Sequence, residues 1–406
     1  MMESPPIPSP PFDFPPSTKK TKRFSSVLIV TILLVGLIAG GILGYAITYN
    51  DFNNKLSNLQ SQLGFYQSSD NGKMQTYVLN DNVSLSALYQ NVKSSVVVIQ
   101  DLVPGYALFG GRVYSLQQGS GFVTEVNSQK VVVTNNHVID GAINVTVTFA
   151  DGNSYPATVL GQDAKADLAI LSVPAIPSGI QSLTLVSSAS LQVGDPVVAV
   201  GSPYGLQGTL TTGVISALGR TIIEDSSSSR SGQSIPDTIQ TSTPINSGNS
   251  GGPLLNYAGN VVGITTAGIA DSQGLGFAIP SSTIMREITT LISTGSYDQH
   301  PSIDAEGVDM NYQIAQAMGT SVTYGWLVER VSSDNGLQGG DQYQAILGNN
   351  VIVGGDIIIA INNVRIANND DLLSYLEQHT LPGQTVPFTV VRDGQTVNIQ
   401  VNIEQA

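Results

Sequence analysis

The sequence predicts a mainly β chain: an antiparallel barrel or sandwich, a small α+β unit behind it, and one transmembrane helix ahead of it. Three observations carry this reading. Short β-branched runs alternate with glycine-rich turns across residues 96–280. Glycine is abundant, at 42 of 406 residues, as many tight turns require. An uncharged stretch from Phe24 to Asn50 stands directly behind a basic cluster, and about 20 apolar residues suffice to cross a bilayer.

Taken in order, residues 1–23 form a proline- and serine-rich tail that ends in Lys19, Lys20, Lys22 and Arg23. Residues 24–49 are the expected membrane anchor, almost wholly apolar from Val27 to Ile47. A cleaved signal peptide is the alternative. The apolar run exceeds the usual signal core and lacks a clear small-x-small site after Ala46, which favours the anchor. The basic flank then stays in the cytoplasm and the remainder is exported. Charge follows that division, with net +2 over residues 1–23 and −16 beyond them. Gly36, Gly40 and Gly44 make a small-xxx-small face on the anchor. Residues 50–80 read as a stalk, in which Phe52, Leu56, Leu59, Leu63 and Tyr66 keep the a/d rhythm of a short coiled coil.

Composition excludes several function classes. A net charge of −14 argues against nucleic acid, whose phosphates need a basic surface. With no cysteine there is no disulfide, thiolate metal site or cysteine nucleophile. The three histidines, His137, His300 and His379, are not spaced as metal ligands, so neither a metal nor another cofactor is expected.

Within the body, strands are expected at Val96–Ile99, Val131–Thr134, Val145–Phe149, Val197–Val200, Val261–Thr265 and Phe277–Ile279, with Asp151-Gly152 as a hairpin turn. Residues 224–236 lack any periodicity and read as an exposed loop. A helix from Ser281 to Ser293 closes the body. The second unit carries the segment Gly354-Gly-Asp-Ile-Ile-Ile-Ala-Ile361, a helix from Asn369 to Gln378, and Asp393-Gly394 between two strands.

Acyl transfer at neutral pH needs a nucleophile, a base, a group that orients the base, and donors for the oxyanion. Ser250 lies among Gly248, Gly251 and Gly252, which permit a sharp turn with bare N–H groups beside the hydroxyl. A plain turn would use the same glycines. His137 ends an apolar strand, where a structural histidine is the plainer reading. Asp167 leads into another apolar strand, and burial there demands a partner. The three together follow the order His, Asp, Ser of the chymotrypsin-like β-barrel proteases. In that reading Ser250 attacks, His137 shuttles the proton, and Asp167 fixes the imidazole. The N–H groups of Gly248 and Ser250 hold the oxyanion, with Asn249 between them. An α/β-hydrolase is excluded because no helix fits between Pro253 and the strand after Asn260.

The segments TNNHV, ADLAIL, GSPYGL, GVISALGR, NSGNSGGPLLN and GLGFAIP resemble the HtrA/Deg family of trypsin-fold proteases, and GGDIIIAIN with LPGQTVPFTVVRDGQ resembles its PDZ domain. The likeness runs from about residue 83 onward. It implies a chymotrypsin/trypsin-like double β-barrel protease domain at 81–297 and a PDZ domain at 298–406. It further implies an ATP-independent serine endopeptidase acting on unfolded or damaged proteins, with trimers as the basic assembly. The anchor adds a single-pass cell-membrane location with both domains extracytoplasmic. A proteolytically silent chaperone or PDZ scaffold is the rival, disfavoured by the intact His137, Asp167 and Ser250. Three positions depart from the family pattern. Ser242 stands where aspartate is common, and Ser247 where proline is common. Asp304 stands at the glycine of the carboxylate-binding loop, where it would repel a peptide C-terminus and lack glycine's backbone freedom.

Overall fold

The computed structural model describes residues 84–106, 112–202, 208–223, 234–246, 248–266 and 275–406. The tail, anchor and stalk expected over residues 1–80 lie outside the described residues, as does Ser247. Among the described residues no helix is long and apolar enough to cross a membrane.

Helix α1 (Leu85–Val92) opens the described chain, capped by Ser84, whose hydroxyl accepts from the Ala87 N–H at 3.2 Å. Six strands follow: β1 (Val96–Tyr106), β2 (Arg112–Val126), β3 (Gln129–Thr134), β4 (Asn144–Thr148), β5 (Ser154–Asp163) and β6 (Leu168–Ser172), with the short helix α2 (Asn136–Ile139) after β3. They close into an antiparallel barrel of order β1-β2-β3-β6-β5-β4. A second barrel repeats the pattern with β7 (Pro196–Gly201), β8 (Thr209–Ile223), β9 (Ser234–Thr241), β10 (Pro253–Asn256), β11 (Val261–Thr266) and β12 (Gly276–Pro280), ordered β10-β11-β12-β9-β8-β7. Helix α3 (Ser281–Thr294) then crosses back onto the first barrel.

Strand periodicity explains why two barrels rather than one sheet form. Successive side chains point to opposite faces. Val132, Ala169 and Leu171 line the first barrel, and Val197, Ala199 and Leu254 line the second. Their neighbours Val131, Val133, Leu168, Ile170, Val198, Val200 and Leu255 face outward, into a shared cluster with Leu88 of α1 and Ile284, Ile288 and Leu291 of α3. Both faces of these strands are therefore buried, which is why they read as continuous apolar runs rather than alternating ones.

The expected strands are present, most of them longer than their apolar cores. The Asp151-Gly152 turn joins β4 to β5, with Gly152 at φ 85°. One boundary differs. Residues 224–233 of the expected exposed loop lie outside the described residues, and its last three belong to a strand instead, because Ser234 already begins β9 and Ile235 is buried in the shared cluster. Polar Ser234 and the proline at 236 concealed an inward-facing isoleucine.

The C-terminal unit begins with β13 (Pro301–Ser302), β14 (Ala305–Asp309), α4 (Tyr312–Met318) and β15 (Trp326–Val331). The hairpin β16 (Gln342–Ile346) and β17 (Asn349–Val353) follows. After it come β18 (Ile357–Ile361), β19 (Val364–Arg365), α5 (Asn369–His379), β20 (Thr385–Arg392), β21 (Gln395–Asn402) and β22 (Glu404–Gln405). Its main sheet runs β14-β15-β18-β20-β21. Helix α5 is capped by Asn368, whose side chain accepts from the Asp371 N–H at 2.9 Å, and acidic Asp370 and Asp371 occupy its positive end. Leu372 and Leu376 bury its inner face against Phe388 and Val401.

Helix α3 reaches β5 at Gly161, where a Cβ would stand 2.2 Å from the Leu291 carbonyl oxygen. Gly161→Ala is expected to cost about 1–3 kcal/mol by overpacking against backbone. Urea unfolding should show a lower midpoint at unchanged slope; an unchanged midpoint would contradict this packing.

Candidate active site

The first barrel brings His137 and Asp167 together. Asp167 sits at the turn entering β6, wholly buried and at φ 52°, a left-handed conformation uncommon outside glycine, asparagine and aspartate. The backbone tolerates it because both sides of the residue are tied down. Its carbonyl accepts from the Asn136 N–H at 3.2 Å and from the Asn135 side-chain amide at 3.0 Å. Its carboxylate accepts three donors. Oδ1 takes the His137 N–H at 2.9 Å, the imidazole Nδ1 lies 2.8 Å from Oδ2 and 3.0 Å from Oδ1, and Thr266 Oγ1 donates to Oδ2 at 2.9 Å. These donors replace the water that the carboxylate loses on burial. The carboxylate also sets the tautomer. Nδ1 facing two carboxylate oxygens carries the proton, which leaves Nε2 as the basic nitrogen of a neutral ring. The His137 side chain is 24% exposed, so that nitrogen belongs to a ring solvent and substrate can reach.

Ser250 occupies the turn that leads into β10. Gly248 at φ 92° and Gly251 at φ 86° make the turn, and a Cβ on Gly251 would lie 2.0 Å from the Ser120 carbonyl oxygen. Only glycine fits there. The remaining N–H groups of the turn are committed: Asn249 to the Asn246 carbonyl at 2.9 Å, Gly251 to Thr265 at 2.8 Å, and Gly252 to Asn249 at 2.9 Å. Among the described residues none accepts from the N–H of Gly248 or Ser250.

Ser120 of β2 joins the two halves. Its N–H donates to the Ser250 carbonyl at 2.8 Å, and its hydroxyl donates to the Gly248 carbonyl at 2.6 Å. The same hydroxyl accepts from the Ser202 N–H at 2.8 Å, beyond the end of β7. Its carbonyl accepts from Thr134 Oγ1 at 2.8 Å, at the end of the strand that delivers His137. Beside it, a Cβ on Gly119 would meet Val138 at 2.7 Å and the Ser250 carbonyl oxygen at 3.2 Å. His137 and Ser250 thus belong to segments that close on one point of β2. Sequence reasoning missed Ser120 and Thr266. Their signals were a serine between two glycines within a strand, and paired threonines ending an otherwise apolar one.

Comparison with known proteins gives this site its family. A trypsin-like peptidase domain matches residues 119–264, and a PDZ domain matches residues 341–403. The serine protease Do-like HtrA of Lactobacillus helveticus is 31% identical over 94% of this chain and 96% of that protein. The chain belongs to the HtrA family of serine proteases. Protease Do-like 1 of Arabidopsis thaliana chloroplasts is 36% identical over 82% of this chain and 73% of its own length. The periplasmic serine endoprotease DegP of Escherichia coli is 32% identical over 71% of this chain, which spans 57% of that protein. Among solved structures, the HtrA-type protease AlgW with a tripeptide superposes with a TM-score of 0.59 at 27% identity, covering 80% of this chain and 97% of that one. This HtrA-family chain is a serine-type endopeptidase with a mainly β, trypsin-like protease fold followed by a PDZ domain.

Two departures from the family pattern now have local explanations. Ser242 accepts the Val214 N–H of β8 at 3.0 Å through its hydroxyl, while its own N–H donates to the Val214 carbonyl at 3.0 Å. The hydroxyl supplies the acceptor that a carboxylate would otherwise offer. Asp304 corrects an expectation. It adopts φ 48° despite its side chain, held by Ser302 Oγ accepting its N–H at 2.9 Å and by its carbonyl accepting the Ser332 N–H at 2.8 Å. Aspartate is among the few side chains that tolerate this region, so backbone freedom is not lost. The Asp304 N–H is already engaged by Ser302 Oγ.

Removing the Thr266 hydroxyl should expose the value of the third donor. Thr266→Val is expected to lower stability at neutral pH by about 1.5–3 kcal/mol, the worth of a buried hydrogen bond to a charged group. Unfolding midpoints equal to wild type would show that Thr266 Oγ1 contributes nothing to holding Asp167.

Proposed function

We propose that this endopeptidase degrades unfolded or damaged proteins outside the cytoplasm, without ATP, using Ser250 as nucleophile, His137 as general base and Asp167 as the acid that orients it. The observation that carries this reading is the contact between Asp167 and His137 Nδ1, which fixes the tautomer whose Nε2 takes a proton. In the first half-reaction the Ser250 hydroxyl adds to the scissile carbonyl and passes its proton to His137. The resulting oxyanion is held by the N–H groups of Gly248 and Ser250. Collapse breaks the C–N bond, and the imidazolium gives its proton to the departing amine. Water, activated by the same imidazole, then releases the acyl group and restores the serine.

The wider setting belongs to the same proposal. Residues 1–23 form a cytoplasmic tail, 24–49 a single-pass anchor, 50–80 a stalk, 81–297 the protease domain and 298–406 the PDZ domain. The unbroken apolar run behind a basic cluster supports the anchor. Relatives described as periplasmic proteases support an extracytoplasmic site of action. The glycine face of the anchor and the a/d rhythm of the stalk support self-association, with a trimer expected.

Degradation of a permanently unfolded protein by the full chain tests the reading. Ser250→Ala and His137→Ala are each expected to lower the rate by ~10⁴ or more while circular dichroism stays unchanged. Asp167→Asn should keep the fold and lose ~10⁴ in kcat, because the amide favours the wrong imidazole tautomer. A Ser250→Ala protein that cleaves at the wild-type rate would refute the assignment. A folded wild-type chain that neither cleaves nor is altered by these changes would instead indicate a silent chaperone or scaffold.

A further inference from the structure

The protease barrels and the PDZ domain meet at a buried cluster of charged side chains that the proteolytic site does not use. His300, on the connection between α3 and β13, is its centre, with a side chain only 4% exposed. Its Nε2 lies 2.7 Å from Asp163 Oδ2 at the end of β5, and its Nδ1 lies 3.1 Å from Glu377 Oε1 on α5. Arg286 of α3 donates to Glu287 Oε1 at 2.7 Å and stands 3.1 Å from Glu377 Oε2. Tyr297 packs edge-on to the His300 ring at 5.1 Å and beneath Arg286 at 5.6 Å. On the turn after β5, the Lys165 N–H donates to Asp163 Oδ1 at 2.8 Å. From β9, Asp237 accepts Ser374 Oγ and Gln378 Nε2 of α5, both at 2.7 Å.

Asp163, Glu287 and His300 each offer a ligand atom within 4.8 Å of the others, so a divalent cation is one reading of the cluster. The distances oppose it. Two ligands on one tetrahedral ion with bonds of about 2.0–2.2 Å stand about 3.3 Å apart. The imidazole and Asp163 are at 2.7 Å, a hydrogen-bond length. Glu287 Oε1 also already accepts a hydrogen bond from Arg286. Protons satisfy the cluster instead. With both ring nitrogens facing carboxylates, His300 is an imidazolium.

We propose that doubly protonated His300 is a latch that holds the PDZ domain on the protease domain by bridging Asp163 of the first barrel to Glu377 of α5. The two ends of the bridge lie on separately cored domains, so losing one proton at the centre removes a tie between them. The titration directions agree. Burial alone would lower the His300 pKa, but hydrogen bonds to Asp163 and Glu377, and their charges, outweigh it and raise it from 6.5 to about 9. Burial, then the adjacent Asp163 charge, raises Glu287 to about 8, so at neutral pH it holds the proton that balances the cluster. Asp163 is pulled the other way: its burial is outweighed by the His300 hydrogen bond and charge, which hold its carboxyl below the usual range. A histidine raised in the docked state favours docking fully below pH 6.5, and that contribution is lost as pH rises through about 9. Glu287 acts in the same direction, since its docked form also binds the extra proton. Asp163 sets the acid limit, because its contribution disappears as pH falls through its depressed value.

The chain has no cysteine, so two introduced ones place spin labels uniquely on the full-length protein. Asn153→Cys on the β4–β5 hairpin and Gln395→Cys after the Asp393-Gly394 turn are both exposed. With doubly labelled chains diluted into unlabelled protein, so that distances within one chain dominate, one narrow inter-label distance is expected at pH 6.5–7.5. A longer, broad population should grow with a midpoint near pH 9, a weakening of docking on the order of a hundredfold between pH 6.5 and 9, while circular dichroism remains that of folded barrels. His300→Gln should populate the long distance already at pH 7 and lose the transition with a midpoint near pH 9, keeping only the dependence that Glu287 contributes. Glu377→Gln, which keeps His300 and changes a side chain at the edge of the cluster, should do the same. In wild type, the carbon-13 resonance of the His300 ring should titrate near pH 9, and nearer 6.5 in Glu377→Gln. The latch is refuted if wild type keeps one distance up to pH 10, if both variants match it, or if His300 titrates near 6.5 in wild type.

Discussion

Everything in the protease domain depends on how its two barrels meet at Ser120. A strand in the middle of the first barrel must approach the turn that carries Ser250 closely enough for backbone hydrogen bonds. A side chain at residue 119 would obstruct it, since a Cβ on Gly119 would lie 3.2 Å from the Ser250 carbonyl oxygen. One on Gly121 would crowd the first barrel itself, 2.9 Å from Ile99 and 3.0 Å from the Val133 carbonyl oxygen. With glycines on both sides, Ser120 spends its N–H, hydroxyl and carbonyl on partners from β3, the end of β7 and the 248–251 turn. Such a buried polar junction is worth having only when every group is satisfied. It fixes register between the barrels, and register is what the proposed active site needs, since small misplacement of reacting groups costs rate steeply.

Two histidines show how the same side chain is given different work by its neighbours. His137 has a carboxylate on Nδ1 and a ring 24% exposed, so one nitrogen is fixed and the other remains a base. His300 has carboxylates on both nitrogens and almost no exposure, so it stays charged and structural. The chain carries few charges for its size, at 11% of residues, yet three of its buried carboxylates, Asp163, Asp167 and Glu287, lie in these two clusters. Burial of charge is costly away from partners. Here the partners come from different elements, which links the charges to the way those elements assemble.

Much of this was legible in the sequence, and the limits have physical causes. Continuous β-branched runs such as Val131–Val133 announced strands because both of their faces are buried. Gly248, Gly251 and Gly252 announced a turn: the first two have positive φ, a Cβ on Gly251 would strike the Ser120 carbonyl, and one on Gly252 would lie 2.4 Å from the Val200 carbonyl oxygen. His137 and Asp167 stood in apolar surroundings that made a partner obligatory. The roles of Ser120 and Thr266 were hidden, because a serine or threonine within a strand looks the same whether it faces solvent or a buried carbonyl. The spacing around His300 carried no sign of its neighbours, because its partners lie 77 and 137 residues away in the chain. Only the assembled fold reveals them. Asp304 erred in the other direction: a rule about glycine was applied to one of the few side chains that escape it.

The most direct test of the account is covalent capture of the nucleophile. Full-length protein treated with a fluorophosphonate and mapped by peptide mass spectrometry should carry one adduct, on the peptide containing Ser250. Labelling should depend on His137, because an unactivated serine reacts slowly with such a reagent. Modification at Ser250 that is lost in His137→Ala would support the arrangement built around Ser120. An adduct on another serine, or equal labelling with and without the imidazole, would contradict it.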